Sequence, residues 1–273
     1  MNKLLRAIPT LSSRVLGTYW TNYIFVQGYP LYSFFKHGDF DYVRRINLQT
    51  ITKCTRACSY CAYGHDKSLN DRGSMTEETF SKVIERLKEM KWKEIVGFGV
   101  HGEPLGDKRL PDFIRRLSEI GCETHIYSNG DFLTDELMKK LLDAGLWRIG
   151  VTKHPPVPAN WPARVEAVQK KYPNHIGIQV LDDGRRLHNH AGGVPEDSKG
   201  NYKPTEGPCN RPAEALSIRF DCSMVLCCND PHGVVMAHIN KDSILDCWRS
   251  KKFVGARRAL SAGNRVYPVC KKC

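Results

Sequence analysis

The run Cys54-Thr55-Arg56-Ala57-Cys58-Ser59-Tyr60-Cys61 follows directly on the strand-like Arg45-Ile46-Asn47-Leu48-Gln49, and the rest of the chain is read outward from it. Three thiols spaced C-x3-C-x2-C in one short loop can converge on a single iron-sulfur cube, and a 4Fe-4S cluster so held keeps one iron without a protein ligand. That open corner is where chemistry is expected. Zinc is the competing reading, because Cys-x2-Cys halves are common zinc ligands, but zinc wants a fourth ligand close in sequence or a second pair.

Strand and helix patterns alternate from residue 43 onward, the order expected of a parallel α/β architecture. Ser74 and Glu77 form a capping-box pattern ahead of Phe80, Val83, Ile84, Leu87 and Met90, which recur at helical spacing. Ile95 to Val100 reads as a second strand, and Leu110 to Ile120 as a helix stopped by Gly121. Thr124 to Ser128 is a third strand, followed by a helix around Leu137, Leu141 and Leu142 closed by Gly145. Trp147 to Thr152 and Ile176 to Leu181 supply the fourth and fifth strands, and Arg186 to Asn189 a sixth.

Residues 1–42 read as an N-terminal extension. Leu4, Leu5, Ile8, Leu11, Val15 and Leu16 approximate helical spacing, and an aromatic-rich stretch follows from Tyr19 to Phe35. Polar and helix-breaking residues interrupt that stretch, so it is not expected to span a bilayer. Packing against the core is the plain expectation; contact with a membrane surface or a partner is the alternative.

The chain has 273 residues, 11 cysteines and a formal charge of +12, with no signal-peptide pattern over Met1 to Gly17. Cysteine usage then points to metal or cluster ligation in a reducing cytoplasm rather than a disulfide framework. Clusters bound through seven thiolates would bring the net charge to roughly +9. The remaining Lys and Arg are scattered over helices and read as solvated faces, so nucleic acid is not the expected partner.

The cysteine loop, the alternating elements and His101-Gly102-Glu103-Pro104 after the second strand together resemble the radical S-adenosylmethionine (radical SAM) superfamily. The resemblance implies a partial (β/α)6 barrel and a SAM molecule chelated to the open iron. Reductive cleavage of that SAM then yields a 5'-deoxyadenosyl radical, the electron coming from an external donor such as flavodoxin or ferredoxin. It also assigns residues. Cys54, Cys58 and Cys61 would hold the cluster, and Gly102, Glu103 and Pro104 would receive the SAM amino group, with His101 replacing the family's first glycine. Ser128 and Asn129 would reach the ribose or carboxylate, Tyr60 would pack beside the adenine, and His154 would stand at the barrel mouth. An ordinary Asn-Gly turn is the plain alternative for Ser128-Asn129-Gly130. His190, in Asn189-His190-Ala191-Gly192-Gly193, stands where some relatives carry an arginine that acts on the substrate alcohol.

Val194 to Pro208 is polar and rich in Gly and Pro, and reads as a linker. Beyond it come Cys209, an alternating hairpin pattern from Ala215 to Cys228, and a terminal Cys270-Lys271-Lys272-Cys273. This resembles the twitch domain, the shortened SPASM domain of some radical SAM enzymes, and implies an auxiliary 4Fe-4S cluster on Cys209, Cys227, Cys270 and Cys273. Cys228 competes with Cys227 as ligand, and Cys222 stands where relatives usually have glycine. The expected architecture is therefore α/β: an extension over 1–42, a partial barrel over 43–195 and a small α+β auxiliary domain over 196–273. The substrate implied is a cyclitol or aminosugar of the aminoglycoside type, oxidised at a carbinol carbon to a ketone. Other outcomes of the same radical are epimerisation, with a thiol such as Cys222 or Cys247 returning hydrogen, dehydration of a diol, and peptide modification. A zinc module that binds nucleic acid is the non-enzymatic rival.

Overall fold

The computed structural model describes residues 30–153, 157–181, 189–196 and 207–273. Contacts divide the chain into two compact units, Met1–Val43 and Arg44–Cys273. In the first, a helix runs through residues 30–37, and the Ser33 hydroxyl donates to the Asp39 carbonyl at 2.5 Å while accepting from the Tyr42 amide at 3.3 Å. The proposed helix of residues 4–16 lies outside the described residues, as do most of the aromatic stretch, the proposed sixth strand up to residue 188, and His154.

The second unit is built on one sheet, ordered β5-β4-β3-β2-β1-β6-β7-β8. Its strands are β1 Ile46–Leu48, β2 Ile95–Phe98, β3 Glu123–Ser128, β4 Arg148–Lys153, β5 Ile176–Val180, β6 Leu216–Ile218, β7 Ser223–Val225 and β8 Val235–His238. Every pairing from β5 through β1 to β6 is parallel, and β6-β7-β8 is antiparallel. The sixth parallel strand of the described sheet is thus β6, which lies on the far side of β1. The sequence pattern shows β6 as the first arm of a hairpin, and it is that too, paired to β7. Its second edge is legible only once β1 lies beside it.

Nine helices punctuate the described strands of this unit: α1 Ala62–His65, α2 Glu77–Glu89, α3 Leu110–Glu119, α4 Asp135–Asp143, α5 Trp161–Lys171, α6 Arg211–Glu214, α7 Ile244–Arg249, α8 Lys251–Ser261 and α9 Pro268–Lys271. The apolar stripes read from the sequence are largely the buried ones: Phe80, Val83 and Leu87 on α2 and Phe113, Ile114 and Leu117 on α3 are fully buried. On α4 only Leu141 of the three leucines read is fully buried; Leu137 and Leu142 are half-buried, and Met138, which the sequence reading passed over, takes the core position beside Leu141. Phe80 and Phe113 stack at 3.9 Å between centroids, locking the first two crossover helices. The start of α2 differs from the capping-box expectation. Thr76 is the N-cap, accepting from Thr79 N at 3.1 Å. Ser74 and Met75 are instead pulled into extended backbone, Ser74 bridging Ile51 and Met75 N bonding Thr50 O at 2.7 Å.

The scattered cations behave as solvated helix faces, with Lys82–Glu85, Arg86–Glu89 and Lys140–Glu136 pairing one turn apart. No helix among the described residues is long and apolar enough to cross a membrane. On β3 the buried Thr124, Ile126 and Ser128 alternate with His125 and Tyr127, so one face of the sheet takes the apolar core and the other is polar. Glycines make room on that polar face: a Cβ on Gly97 would lie 2.7 Å from Asn47 Oδ1.

Candidate active site

The cysteine loop leaves the C-terminal end of β1, the end at which barrel sites are built. Its backbone is clamped from both sides. Asn70 holds Cys54 twice, accepting from Cys54 N at 2.8 Å and donating to Cys54 O at 3.3 Å. Gly64 sits so close under Cys58 that a Cβ there would lie 2.1 Å from the Cys58 carbonyl oxygen, which makes a bare backbone obligatory. Cys54, Cys58 and Cys61 are all half-buried free thiols, and burial pushes Cys54 up to about 11. A bound metal centre would supply the positive charge that favours the thiolate. Tyr60, also half-buried, turns its hydroxyl toward Cys58, and burial, followed by that hydrogen bond, raises its pKa.

Behind the loop stands Glu103, 2% exposed. Its Oε1 accepts from Leu105 N at 3.0 Å and Ser128 Oγ at 2.7 Å, and its Oε2 from Asn129 N at 2.8 Å. The carboxylate is therefore largely engaged by the protein. Of the two kinds of acceptor the sequence offers an ammonium at Gly102-Glu103-Pro104, the carboxylate keeps one unfilled acceptor position, on Oε2, beside the main-chain carbonyls. Gly102, at φ +78, brings that main chain close, because a Cβ would meet Ile51 O at 2.4 Å. Glu103 N donates to Lys53 O at 2.9 Å, tying the segment to the residue before Cys54. Pro104 opens a buried 3-10 turn behind it.

Asn129 links the end of β3 to the cysteine loop. Its side-chain amide donates to Thr55 Oγ1 at 3.1 Å and lies 3.9 Å from Cys54 Sγ, while its carbonyl accepts from Trp161 Nε1 at 2.8 Å. Asp131, two residues on, accepts from Thr55 Oγ1 and Arg56 Nε at 2.8 and 2.9 Å and pairs with Arg56 Nη2 at 2.5 Å. Burial would raise the Asp131 pKa, but these donors hold its carboxyl below the usual range. Asn129 is therefore more than a turn residue, since it bonds the cysteine loop at Thr55, whereas Ser128 bonds Glu103 and closes the turn onto Gly130 N. Arg56, Asn70, Asp131 and Gly64 were not singled out in the sequence, although Arg56 lies inside the cysteine motif and Asp131 directly follows the Asn-Gly pair.

Cys209, Cys227, Cys270 and Cys273, 64 residues apart in sequence at the extremes, line one cavity of about 330 Å³. Cys228 lines a different one. Among the described residues no three His, Cys, Asp or Glu side chains close around a point that a single ion would occupy. Cys222 sits in the β6–β7 turn at φ +69, the left-handed conformation a glycine would take freely, and its Sγ lies 3.1 Å from Thr79 Oγ1. Cys247 is buried on α7, and burial pushes its thiol up to about 12. Neither lines the cavity of the four cysteines.

Between the two cysteine sets lies the turn of residues 189–194. His190, Ala191 and Gly192 are consecutive left-handed residues, at φ +49, +57 and +83. For the two that are not glycine this costs about 1–2 kcal/mol each, and such strain concentrates at functional sites. The turn closes through Gly193 N to His190 O at 3.0 Å and Val194 N to Asn189 O at 2.9 Å. It is held on one side by α1, where Gly193 abuts Ala62, and on the other by the terminal Cys-x2-Cys, where Gly192 abuts Lys272 and Asn189 Nδ2 bonds Lys272 O. The His190 ring lies 6.2 Å from that of His101, which stacks on Tyr63 at 5.1 Å. Burial first, then the charges of His190 and Arg219, lowers His101 to about 3, so it is neutral; the backbone at Cys228 and Asp230 faces it. Its Nε2 is buried without a hydrogen-bond partner, the kind of orphan that a bound group satisfies.

Residues 48–155 match the model of the radical SAM superfamily, and residues 209–273 that of the SPASM iron-sulfur cluster-binding domain. This chain carries a radical SAM domain followed by a SPASM-type iron-sulfur domain. The radical SAM domain implies a 4Fe-4S cluster and SAM, and the SPASM domain an auxiliary iron-sulfur cluster; the clamped cysteine loop and the four-cysteine cavity fit them. The enzyme is 26% identical over 238 residues, covering 84% of its own length and 91% of the relative's, to the S-adenosyl-L-methionine-dependent 2-deoxy-scyllo-inosamine dehydrogenase of Niallia circulans. A cofactor-modifying protein for tungsten-containing aldehyde ferredoxin oxidoreductase from Pyrococcus furiosus is 27% identical, over 38% of this chain and 29% of that protein. The crystal structure of BtrN in complex with AdoMet and 2-DOIA superposes with a TM-score of 0.73 at 24% identity, over 85% of this chain and 93% of that one. That of anSMEcpe with bound AdoMet gives 0.57 at 13%, over 84% and 85%. These likenesses place the parallel sheet and its C-terminal addition in the radical SAM fold.

Proposed function

We propose that this radical SAM oxidoreductase dehydrogenates a carbinol carbon of a cyclitol or sugar to a ketone, in aminoglycoside-type biosynthesis. The observation that carries this reading is the wedging of the His190 turn between α1, which leaves the cysteine loop, and the terminal Cys-x2-Cys. That turn carries His190, whose ring lies 6.2 Å from that of His101. The 26% identity to a 2-deoxy-scyllo-inosamine dehydrogenase supports it.

In this reading Cys54, Cys58 and Cys61 hold the SAM-binding cluster, and Cys209, Cys227, Cys270 and Cys273 the auxiliary one, with Cys227 preferred over Cys228 because it lines the shared cavity. When bound, these groups supply a radical that removes one hydrogen atom from the substrate and an acceptor for the one electron left behind. The protein does the rest. Main-chain carbonyls at Gly102 receive the SAM amino group, Ser128 and Asn129 orient the methionine and ribose end, and Tyr60 flanks the adenine. His190 takes the hydroxyl proton, so that a hydrogen atom, a proton and an electron leave together as the C=O bond forms. His101, neutral and buried, keeps water from that proton's path. Residues 43–195 form the SAM half, 196–273 the auxiliary half and 1–42 an extension. A reducing cytoplasm and an external one-electron donor of the flavodoxin or ferredoxin kind complete the scheme.

The test is anaerobic. Reconstituted protein is expected to hold about eight irons, falling to about four when Cys54, Cys58 and Cys61 are replaced by Ala. Under reduction it is expected to form 5'-deoxyadenosine in step with loss of two hydrogens from a cyclitol or sugar. Zinc in place of iron, or solvent deuterium in a product of unchanged oxidation state, would sink the proposal.

A further inference from the structure

The function proposed above leaves residues 1–42 without a task. Their described part, residues 30–42, is inside out for an element that packs on a core. On the helix of residues 30–37 the Ser33 hydroxyl is fully buried, held by the Asp39 carbonyl and the Tyr42 amide, while Leu31, Phe34 and Phe35 are 58%, 42% and 83% exposed. Those three stand at i, i+3 and i+4 and so share one face. Gly38, left-handed at φ +69, closes the helix with its amide on Phe34 O at 2.8 Å. The chain then turns back, and Phe40, 53% exposed, stacks on Phe34 at 4.4 Å between centroids, with Phe35 edge-on to Phe34 at 5.9 Å. Nine large apolar side chains are exposed among the described residues, and four of them are gathered here in ten residues of chain. A contiguous apolar patch of this kind marks an interaction surface.

The composition of the same segment points to what covers the patch. Eight of the 17 residues from Tyr19 to Phe35 are aromatic, and five of those are Tyr or Trp, whose apolar bodies and polar tips suit a membrane–water boundary. Residues 1–38 carry Lys3, Arg6, Arg14 and Lys36 and no Asp or Glu, whereas the remaining 235 residues hold all 29 acids of the chain. Apolar and aromatic side chains joined to an acid-free basic segment complement a bilayer with anionic headgroups. A second copy of this chain, docked through the same face, would instead set like charges against like.

We propose that the face formed by Leu31, Phe34, Phe35 and Phe40 docks the enzyme on the surface of a bilayer that carries anionic lipids. The contact is interfacial. Asn22, Gln27, Gly28 and Pro30 interrupt the aromatic stretch, and the helix of residues 30–37 rises only about 12 Å, against about 30 Å for a hydrocarbon core. Phe34 and Phe35 enter the boundary between headgroups and acyl chains. Asp39 and Asp41, which flank Phe40 and are joined by Asp41 N donating to Asp39 Oδ1 at 2.8 Å, hold that end of the patch at headgroup level. The inference adds a partner and does not depend on which reaction the cysteine sites support.

The experiment is flotation of the full-length, anaerobically reconstituted protein with vesicles of phosphatidylcholine alone and of phosphatidylcholine mixed with phosphatidylglycerol. The protein is expected to float with the mixed vesicles, to bind neutral ones at least about fivefold more weakly, and to be released in part by added salt. Phe35→Ser should weaken partitioning about tenfold and Leu31→Ser about threefold, as apolar surface is withdrawn from the boundary. Phe35→Trp should retain binding, because Trp suits the same depth. Both side chains point outward, so iron content and 5'-deoxyadenosine formation in solution should be unchanged in all three variants; if Phe35→Ser loses iron, Leu31→Ser and Phe35→Trp decide the matter. Absence of binding to either vesicle by a protein with full iron content would overturn the inference, as would binding that ignores both serine variants. Self-association seen by light scattering and abolished by Phe35→Ser, without vesicle binding, would assign the face to a second copy and overturn it too. None of these readouts involves turnover, so the dehydrogenase reading stands or falls separately.

Discussion

Glu103→Gln is expected to be the most informative single substitution behind the cysteine loop. The carboxylate accepts Leu105 N and Ser128 Oγ on one oxygen and Asn129 N on the other. A glutamine offers only one oxygen. If that oxygen keeps Leu105 and Ser128, the new NH2 points at the Asn129 N–H; if the amide flips, it points at the Leu105 N–H. Either way one buried backbone donor is orphaned, at about 1–3 kcal/mol, and the surviving bonds lose their charge assistance, at about 0.5–1.5 kcal/mol. Release from burying a charge offsets part of this, leaving a net loss of about 2–4 kcal/mol, a large share of a typical total stability. In urea unfolding followed by circular dichroism this corresponds to a midpoint lowered by roughly 1 M. SAM binding should weaken in parallel, because Asn129 also holds Thr55 and lies against Cys54. There is a pH signature too. Burial raises the Glu103 pKa above 4.5, its three donors opposing, so the native chain binds the extra proton in the window just above that value. Stability contributed by this group therefore falls as pH rises through the window, and Gln removes that slope. A midpoint within about 0.5 kcal/mol of wild type, with SAM binding intact, would refute the reasoning.

Three further outcomes follow from the same geometry. Gly64→Ala places a methyl group 2.1 Å from the Cys58 carbonyl, so the variant should fold yet lose the iron of the SAM cluster alone; full iron content by metal analysis would count against it. Cys227→Ser should halve the iron, whereas Cys228→Ser, in a separate cavity, should leave it unchanged, and the reverse result would reassign the ligand. Asp131, with its folded pKa held down by Arg56 and Thr55 against burial, contributes stability that is present above its unfolded pKa and lost as pH falls through the lower folded value. Asp131→Asn should therefore flatten the acid limb of stability below about pH 4, measured as unfolding midpoints between pH 3 and 6.

Much of the fold was legible because helical periodicity and strand length are local. Phe80, Val83 and Leu87 announce a buried helix face, and they are buried. The start of that helix was misplaced, since Ser74 carries a capping pattern yet is drawn into extended backbone beside Ile51. Backbone pairing to a residue 23 positions away leaves no local trace. The cysteine loop was legible from spacing alone. Its clamps were not, because Asn70, Arg56 and Asp131 are ordinary polar residues until the chain folds them against Cys54 and Thr55.

The sequence by itself offered the thiols, three in a short loop and, through the resemblance to the twitch domain, a further set toward the C-terminus, because residue identity and local spacing are properties of the chain. Tertiary structure alone decided that Glu103 is already occupied by three donors and that Cys227 rather than Cys228 joins the cavity of Cys209, Cys270 and Cys273. The physical reason is that occupancy and convergence depend on which distant residues meet, and β1 meets β6 only after more than 160 residues of chain have folded between them.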